Sequence, residues 1–261
     1  MNFFRSIILI LSLYLIPFFS EATNHDTIIA NAWFEYASKL YDEAKYDSSS
    51  ICFEKASLIF ENYKLWNKLF YCKHNIGWNH KILGNYDLAM VFFQESFEIA
   101  KEHFGELSDQ FGISCSAIGN LHRFKGNYEK ALYYINQDLS ILKNLFGENN
   151  INIAASYNNI AIVYDDMGDF DKAILFYNKA LAIYINSGSD QDLQISYCYN
   201  NLGGTYFNKS QFEESLDFFI KSFEIKKKIL PEKHDNFSSS YNNLGEVYFK
   251  KKEYDKAMDY F

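Results

Sequence analysis

The chain has 261 residues, enough for one large domain or two small ones, and its apolar (48%) and aromatic (19%) content excludes a disordered protein. A formal charge of −8 and a pI near 5.3 argue against binding to nucleic acid or to anionic membrane surfaces. Only two prolines are present, so little interrupts helices, and this favours an all-α fold.

Residues 1–22 have the layout of a secretory signal peptide. Arg5 is the positive charge of the leading segment, residues 7–19 carry Ser12 as their one polar side chain, and a small-x-small cleavage pattern ends at Ala22. Thirteen apolar residues are short for a bilayer crossing, so an uncleaved membrane anchor is the less favoured alternative. Both alternatives place the remaining chain outside the cytoplasm, and we expect an exported protein, either periplasmic or extracellular.

A short segment recurs at a fixed period along the rest of the chain. Tyr157–Tyr164 reads YNNIAIVY, Tyr199–Tyr206 reads YNNLGGTY and Tyr241–Tyr248 reads YNNLGEVY, each 42 residues from the next. A second pattern, which begins at an aromatic residue, follows each copy and also recurs three times upstream of them. Its aromatic residues are spaced 40, 42, 42, 42 and 42 residues apart: Tyr46, Tyr86, Tyr128, Phe170, Phe212 and Tyr254. Apolar positions three and four residues apart predict two amphipathic helices in each unit.

These residues carry a resemblance to a known family. Aromatic-x2-Leu-Gly-x2-Tyr followed by Ala-x3-Phe resembles the tetratricopeptide repeat, and the 42-residue period resembles its kinesin-light-chain variant over roughly residues 30–261. The resemblance implies an all-α, right-handed superhelical solenoid of antiparallel helix pairs. About six repeats are expected, near residues 30–69, 70–111, 112–153, 154–195, 196–237 and 238–261. The last is incomplete and would expose an apolar face, so we expect the natural chain to continue past Phe261.

Small residues and glycines in the repeats predict how the helices pack. Small residues in the first helix should let the second helix approach closely, at Ala37, Gly77, Gly119, Ala161, Gly203 and Gly245. Gly84, Gly126 and Gly168 lie at the turn between the two helices, where a left-handed residue ends a helix at low cost. Asp138 stands where a small residue is expected, and this predicts poor local packing.

In the family, the first helix of each pair lines a concave groove. The resemblance then implies a peptide-binding groove formed by His74, Trp78, Lys81, Asn120, Arg123, Asn158, Asp165, Asn200, Phe207, Asn242 and Phe249. The asparagines at 158, 200 and 242 share one repeat position, and each carboxamide offers a donor and an acceptor to an extended peptide. The alternative is that the paired asparagines belong to the repeat consensus and hold the helices together.

We found no catalytic, metal or cofactor motif, so we expect no enzyme activity and no cofactor. Cys52 and Cys72 could face each other as a disulfide in an exported chain, but buried free thiols are the favoured interpretation. His80 and His122 share one repeat position. A metal bound by this pair would lack a third ligand, so aromatic core residues are favoured there.

Two hypotheses about function follow. The first is an exported scaffold that binds a protein or peptide partner in its groove, without nucleic acid, and that touches membranes only through an uncleaved N-terminus or a missing C-terminal anchor. The alternative is the extracytoplasmic sensor region of a bacterial signalling protein, whose histidine kinase or helix-turn-helix part is missing from this sequence. A fused enzyme with a missing catalytic domain has no support from any residue.

Overall fold

A computed structural model of the chain describes residues 25–188, 192–231 and 236–261, which form twelve α-helices and no strand. The predicted signal peptide, residues 1–22, lies outside the described residues. The helices are α1 (residues 25–42), α2 (Tyr46–Asn62), α3 (Trp66–Ile82), α4 (Tyr86–His103), α5 (Asp109–Phe124), α6 (Tyr128–Phe146), α7 (Ile151–Asp166), α8 (Phe170–Asn186), α9 (Asp192–Asn208), α10 (Phe212–Ile229), α11 (Asn236–Lys250) and α12 (Tyr254–Tyr260). Odd-numbered helices are the first and even-numbered helices the second of each predicted repeat, which confirms the fold class. No helix in these ranges is long and apolar enough to span a membrane.

The described residues divide into two compact units, one ending at Leu121 and the other beginning at His122. In the first unit, α3 packs against both α2 and α4. In the second unit, each helix from α6 to α12 packs against the next, and α7 also contacts α9. First helices of neighbouring repeats therefore touch, as expected when each repeat buries its apolar face against the next one.

The turn inside each repeat uses a residue with left-handed backbone. Gly84, Gly126 and Gly168 have φ angles of 78°, 73° and 79°, as predicted. The other three repeats place a residue with a side chain there, namely Ala44, Ser210 and Lys252, with φ of 56°, 61° and 64°. Beyond Gly84, the amide of Asn85 donates to the carbonyl of His80 at 2.8 Å, which closes the helix end in the manner of a Schellman motif.

Glycine in the first helix lets an aromatic ring of the second helix lie against its backbone. A Cβ atom on Gly203 would lie 2.6 Å from the ring of Phe219. The same contact recurs between Gly77 and Phe93 at 2.6 Å and between Gly245 and Phe261 at 2.7 Å. The predicted close approach of the two helices is confirmed at these three positions.

A second ring pair joins the helices of five repeats. A ring near the end of the first helix stacks on a ring of the second, with centroids 5.3 to 5.8 Å apart and interplanar angles of 11° to 16°: His80–Phe92, His122–Tyr134, Tyr164–Phe176, Tyr206–Phe218 and Tyr248–Tyr260. The two histidines therefore take the tyrosine position in the packing. Within the described residues, no group of three or more His, Cys, Asp or Glu side chains is placed to hold a metal ion.

Buried polar side chains at the small positions are accommodated by hydrogen bonds. The Ser215 hydroxyl donates to the Gly203 carbonyl at 2.8 Å. Asp138, where poor packing was expected, is instead 5% exposed and accepts a 2.7 Å hydrogen bond from the Ser156 hydroxyl. Cys52 and Cys72 are buried free thiols, as are the other two cysteines.

Candidate functional site

In the first unit, a pocket of about 390 Å³ opens between the first helices of two consecutive repeats, α1 and α3. It is lined by Ser38, Tyr41, Asp42, Phe53, His74, Asn75 and Trp78. Tyr41 is 39% exposed, whereas Phe53 comes from α2 and is 1% exposed. The pocket therefore has a buried aromatic residue below and partly open aromatic walls.

The second unit has a pocket of about 350 Å³ between α9 and α11, again first helices of consecutive repeats. It is lined by Phe207, Glu246, Phe249, Lys250 and Phe261. Phe249 is 54% exposed, so much of this apolar ring faces solvent. Glu246 and Lys250 add one charge of each sign to the apolar lining.

The two pockets share four repeat positions: Ser38, Tyr41, Asp42 and Phe53 in the first match Glu246, Phe249, Lys250 and Phe261 in the second. Their opposite walls differ, because the following repeat completes the first pocket and the preceding repeat completes the second. Tyr41, Phe207 and Phe249 all occupy the repeat position of Lys81. Tyr41 lies 40 residues before Lys81, and Phe207 and Phe249 lie three and four 42-residue repeats after it. Phe53 and Phe261 likewise share one position of the second helix. Tyr41 was missed from the sequence, although the same spacing applied backwards to the first repeat would have found it.

His74 lines the first pocket as a largely buried wall. Its ring is 9% exposed and stacks on Phe70, with centroids 5.7 Å apart. Its Nε2 accepts a 2.8 Å hydrogen bond from Trp78 Nε1, so the neutral ring carries its proton on Nδ1. Burial lowers the pKa of His74 to about 4. Beside it, Lys81 lies over the Trp78 ring at 4.0 Å from the centroid.

The repeated asparagines bond between neighbouring repeats. Asn201 Nδ2 donates to Asn158 Oδ1 at 3.2 Å, and Asn243 Nδ2 donates to Asn200 Oδ1 at 3.0 Å. The side-chain oxygens of Asn158 and Asn200 therefore take the alternative role of holding repeats together, and peptide binding by these side chains stays a prediction. Their amide N–H groups make no hydrogen bond to another described residue. Asn242 is exposed.

The remaining predicted residues interact mainly with the protein itself. Arg123 pairs with Asp166 at 2.8 Å across one repeat step. Asp165 is half-buried, and burial raises the pKa of its carboxyl while a hydrogen bond with Thr205 lowers it. Asn120 Nδ2 donates to a carbonyl of its own helix at 3.0 Å. The structure thus brings His74 and Trp78 together in one pocket and Phe207 and Phe249 together in another. Arg123, Asp165 and Asn120 lie outside both pockets.

Family models described as Tetratricopeptide repeat match residues 70–110, 113–186 and 195–261. A search of curated proteins gave no match.

Several solved structures are similar to this chain. BtubC (BKLC) from P. vanneervenii is 19% identical, with a TM-score of 0.65 over 88% of this chain and 87% of that one. A kinesin-light-chain-like repeat protein of Podosopora anserina is 15% identical, with a TM-score of 0.59 over 72% and 89%. NprR, solved in complex with its cognate peptide NprX, is 14% identical, with a TM-score of 0.67 over 98% and 74%. At such identities the likeness shows the fold alone.

Proposed function

The chain belongs to the tetratricopeptide repeat family, and from this premise we propose that it is a scaffold that binds a peptide or protein partner on the first helices of its repeats. The observation that carries the proposal is that each unit has a partly apolar pocket of similar volume between first helices, with four lining positions in common. This family generally acts as a non-enzymatic scaffold, so the proposed activity is binding without bond-making chemistry.

Each pocket suits one large apolar side chain of an extended peptide. Volumes of about 350 and 390 Å³ lie at the small end of ligand sites, and exposed aromatic rings are the residues that most often dominate binding energy. In the second unit, the amide N–H groups of Asn158 and Asn200 would donate to main-chain carbonyls of the peptide. The complex of NprR with its cognate peptide supports a peptide as the ligand class.

The test uses peptides selected from a random 12-residue display library on the 261-residue chain. Affinity of a selected peptide is then measured by fluorescence anisotropy against wild type and Tyr41→Ala/Phe249→Ala. Because each change removes a partly exposed pocket ring, we expect at least tenfold weaker binding, the effect of losing one anchor residue.

Tyr133→Ala is the matched control. Tyr133 is 60% exposed on α6, a second helix, so its loss removes a comparable open aromatic ring outside both pockets. Peptides that bind the double variant as tightly as wild type would show that these pockets do not hold the partner.

We also propose that the protein is exported, with residues 1–22 as its signal peptide. The charged, apolar and small-residue segments in that order support this. N-terminal sequencing of the secreted or periplasmic chain should find a start after Ala22, whereas an intact Met1 on a cytoplasmic chain would contradict the proposal. The sensor-region alternative stays a prediction, which sequencing the gene past codon 261 would test.

A further inference from the structure

The first unit carries a second hollow, of about 850 Å³, that shares no lining residue with the pocket between α1 and α3. Most of its lining comes from one long face of α4, and the end of α2 and the first half of α3 complete it. We call it the α4 hollow. Its lining residues on α4 run from Met90 to His103, a length of about 20 Å at the helical rise per residue.

Apolar and aromatic groups form the centre of the α4 hollow. Trp66 stacks face to face on His103, with centroids 3.8 Å apart and an interplanar angle of 6°, so the indole is held in one orientation. Leu69 beneath it is 2% exposed, whereas Val91 is 51% exposed. An open apolar strip beside a fixed ring is the kind of surface that a partner's apolar side chains cover.

The border of the α4 hollow is acidic. Glu61, Glu95, Glu98 and Glu102 line it, and Lys73 is the one lysine or arginine among its lining residues. Lys73 is already paired with Glu95 at 2.7 Å. The other three glutamates form no salt bridge with any described residue. Glu98 and Glu102 are four residues apart and therefore lie on one face of α4.

We propose that the α4 hollow docks a basic amphipathic helix of a partner protein. Its apolar face would cover Trp66 and Val91, and lysines or arginines spaced four residues apart would pair with Glu98 and Glu102. A 20 Å hollow matches about four turns of helix, and a helix laid in a groove uses anchors at this spacing. The charge complementarity selects a cationic segment. This surface and its ligand chemistry are distinct from those of the proposed function, so either can fail alone.

The test uses two synthetic 16-residue helical peptides with identical leucine faces, one flanked by lysines and the other by glutamates. Each is labelled, and its binding to the 261-residue chain is followed by anisotropy in low and moderate salt. We expect the lysine peptide to bind at least tenfold more tightly than the glutamate peptide, with the preference shrinking as salt screens the charges. In Glu98→Lys/Glu102→Lys the preference should reverse, and Val91→Asp should weaken the lysine peptide's binding at least tenfold.

Glu224→Lys is the matched control, because Glu224 is the residue three repeats after Glu98 at the same position of a second helix and is also exposed. It makes the same change in net charge as Glu98→Lys alone, but away from the hollow, and should leave binding of the lysine peptide unchanged. Equal losses in Glu224→Lys and Glu98→Lys would mean non-specific attraction to an acidic protein and would overturn the proposal. Binding of the lysine peptide that is lost only in Tyr41→Ala/Phe249→Ala would also overturn it. Self-association in sedimentation that Val91→Asp abolishes would overturn it as well, since the occupant would then be a second copy of the chain.

Discussion

Gly203 in α9 is a position where one methyl group tests the packing between the two helices of a repeat. A Cβ atom there would lie 2.6, 2.8 and 2.9 Å from three ring carbons of Phe219, and that ring is 6% exposed and has little room to move. Overpacking of this kind costs about 1–3 kcal/mol, and the better helix propensity of alanine offsets about 1 kcal/mol of it. We therefore expect Gly203→Ala to destabilise the α9–α10 pair by about 1 kcal/mol.

The next residue supplies the control for this prediction. Gly204 lies in the same helix, and a Cβ atom there would meet no atom within 4 Å. Gly204→Ala gains the same propensity without the clash, so it should stabilise the pair by about 1 kcal/mol. The two variants, one residue apart, should thus differ by about 2 kcal/mol with opposite signs.

Hydrogen-exchange protection of α9 and α10 is the appropriate measurement, because repeat arrays often unfold in parts and a global unfolding energy would blur a local effect. Adding Phe219→Leu to Gly203→Ala should cost less than Phe219→Leu costs alone, since the smaller side chain relieves the overlap. Protection in Gly203→Ala equal to that in Gly204→Ala would refute the reasoning, for it would show that the Phe219 ring yields freely.

Three further predictions concern buried titratable groups. Burial lowers the pKa of His74 to about 4 from its usual 6.5, so the unfolded chain binds a proton there first, and the free energy of unfolding should fall by up to about 3 kcal/mol as the pH drops from 6.5 to 4. Urea unfolding at stepped pH should show a flatter pH dependence for His74→Phe, and an unchanged slope would contradict this. Lys226 is 3% exposed, and burial lowers the pKa of its amino group, which donates a hydrogen bond to Ser240 at 3.1 Å. Lys226→Leu removes this desolvated charge and should raise the melting temperature, so a melting temperature below that of wild type would count against the prediction. Burial raises the pKa of the Cys72 thiol to about 12, so alkylation at pH 8 followed by mass spectrometry should label it only after unfolding, and rapid labelling of the native chain would show that it is open to solvent.

The repeat and its helix pairs could be predicted from the sequence, because they depend on short-range patterns that recur with a fixed period. The left-handed turn at Gly84 and the close approach at Gly203 follow from residues a few positions apart, whose meaning the repeat makes unambiguous. The aromatic role of His80 also follows from the sequence, since the equivalent position is tyrosine in the last three repeats.

The folded chain was needed to see which polar groups bond to each other within the scaffold and which surfaces stay open. Asn158 was expected to face the groove, and its hydrogen bond with Asn201 forms because neighbouring first helices touch. The α4 hollow joins Trp66 to His103, 37 residues away, in a contact unlike any that the repeat consensus predicts. The physical reason is that a periodic pattern specifies the core face shared by all repeats. Exposed positions vary from one repeat to the next, so their contacts depend on the neighbours that folding brings beside them.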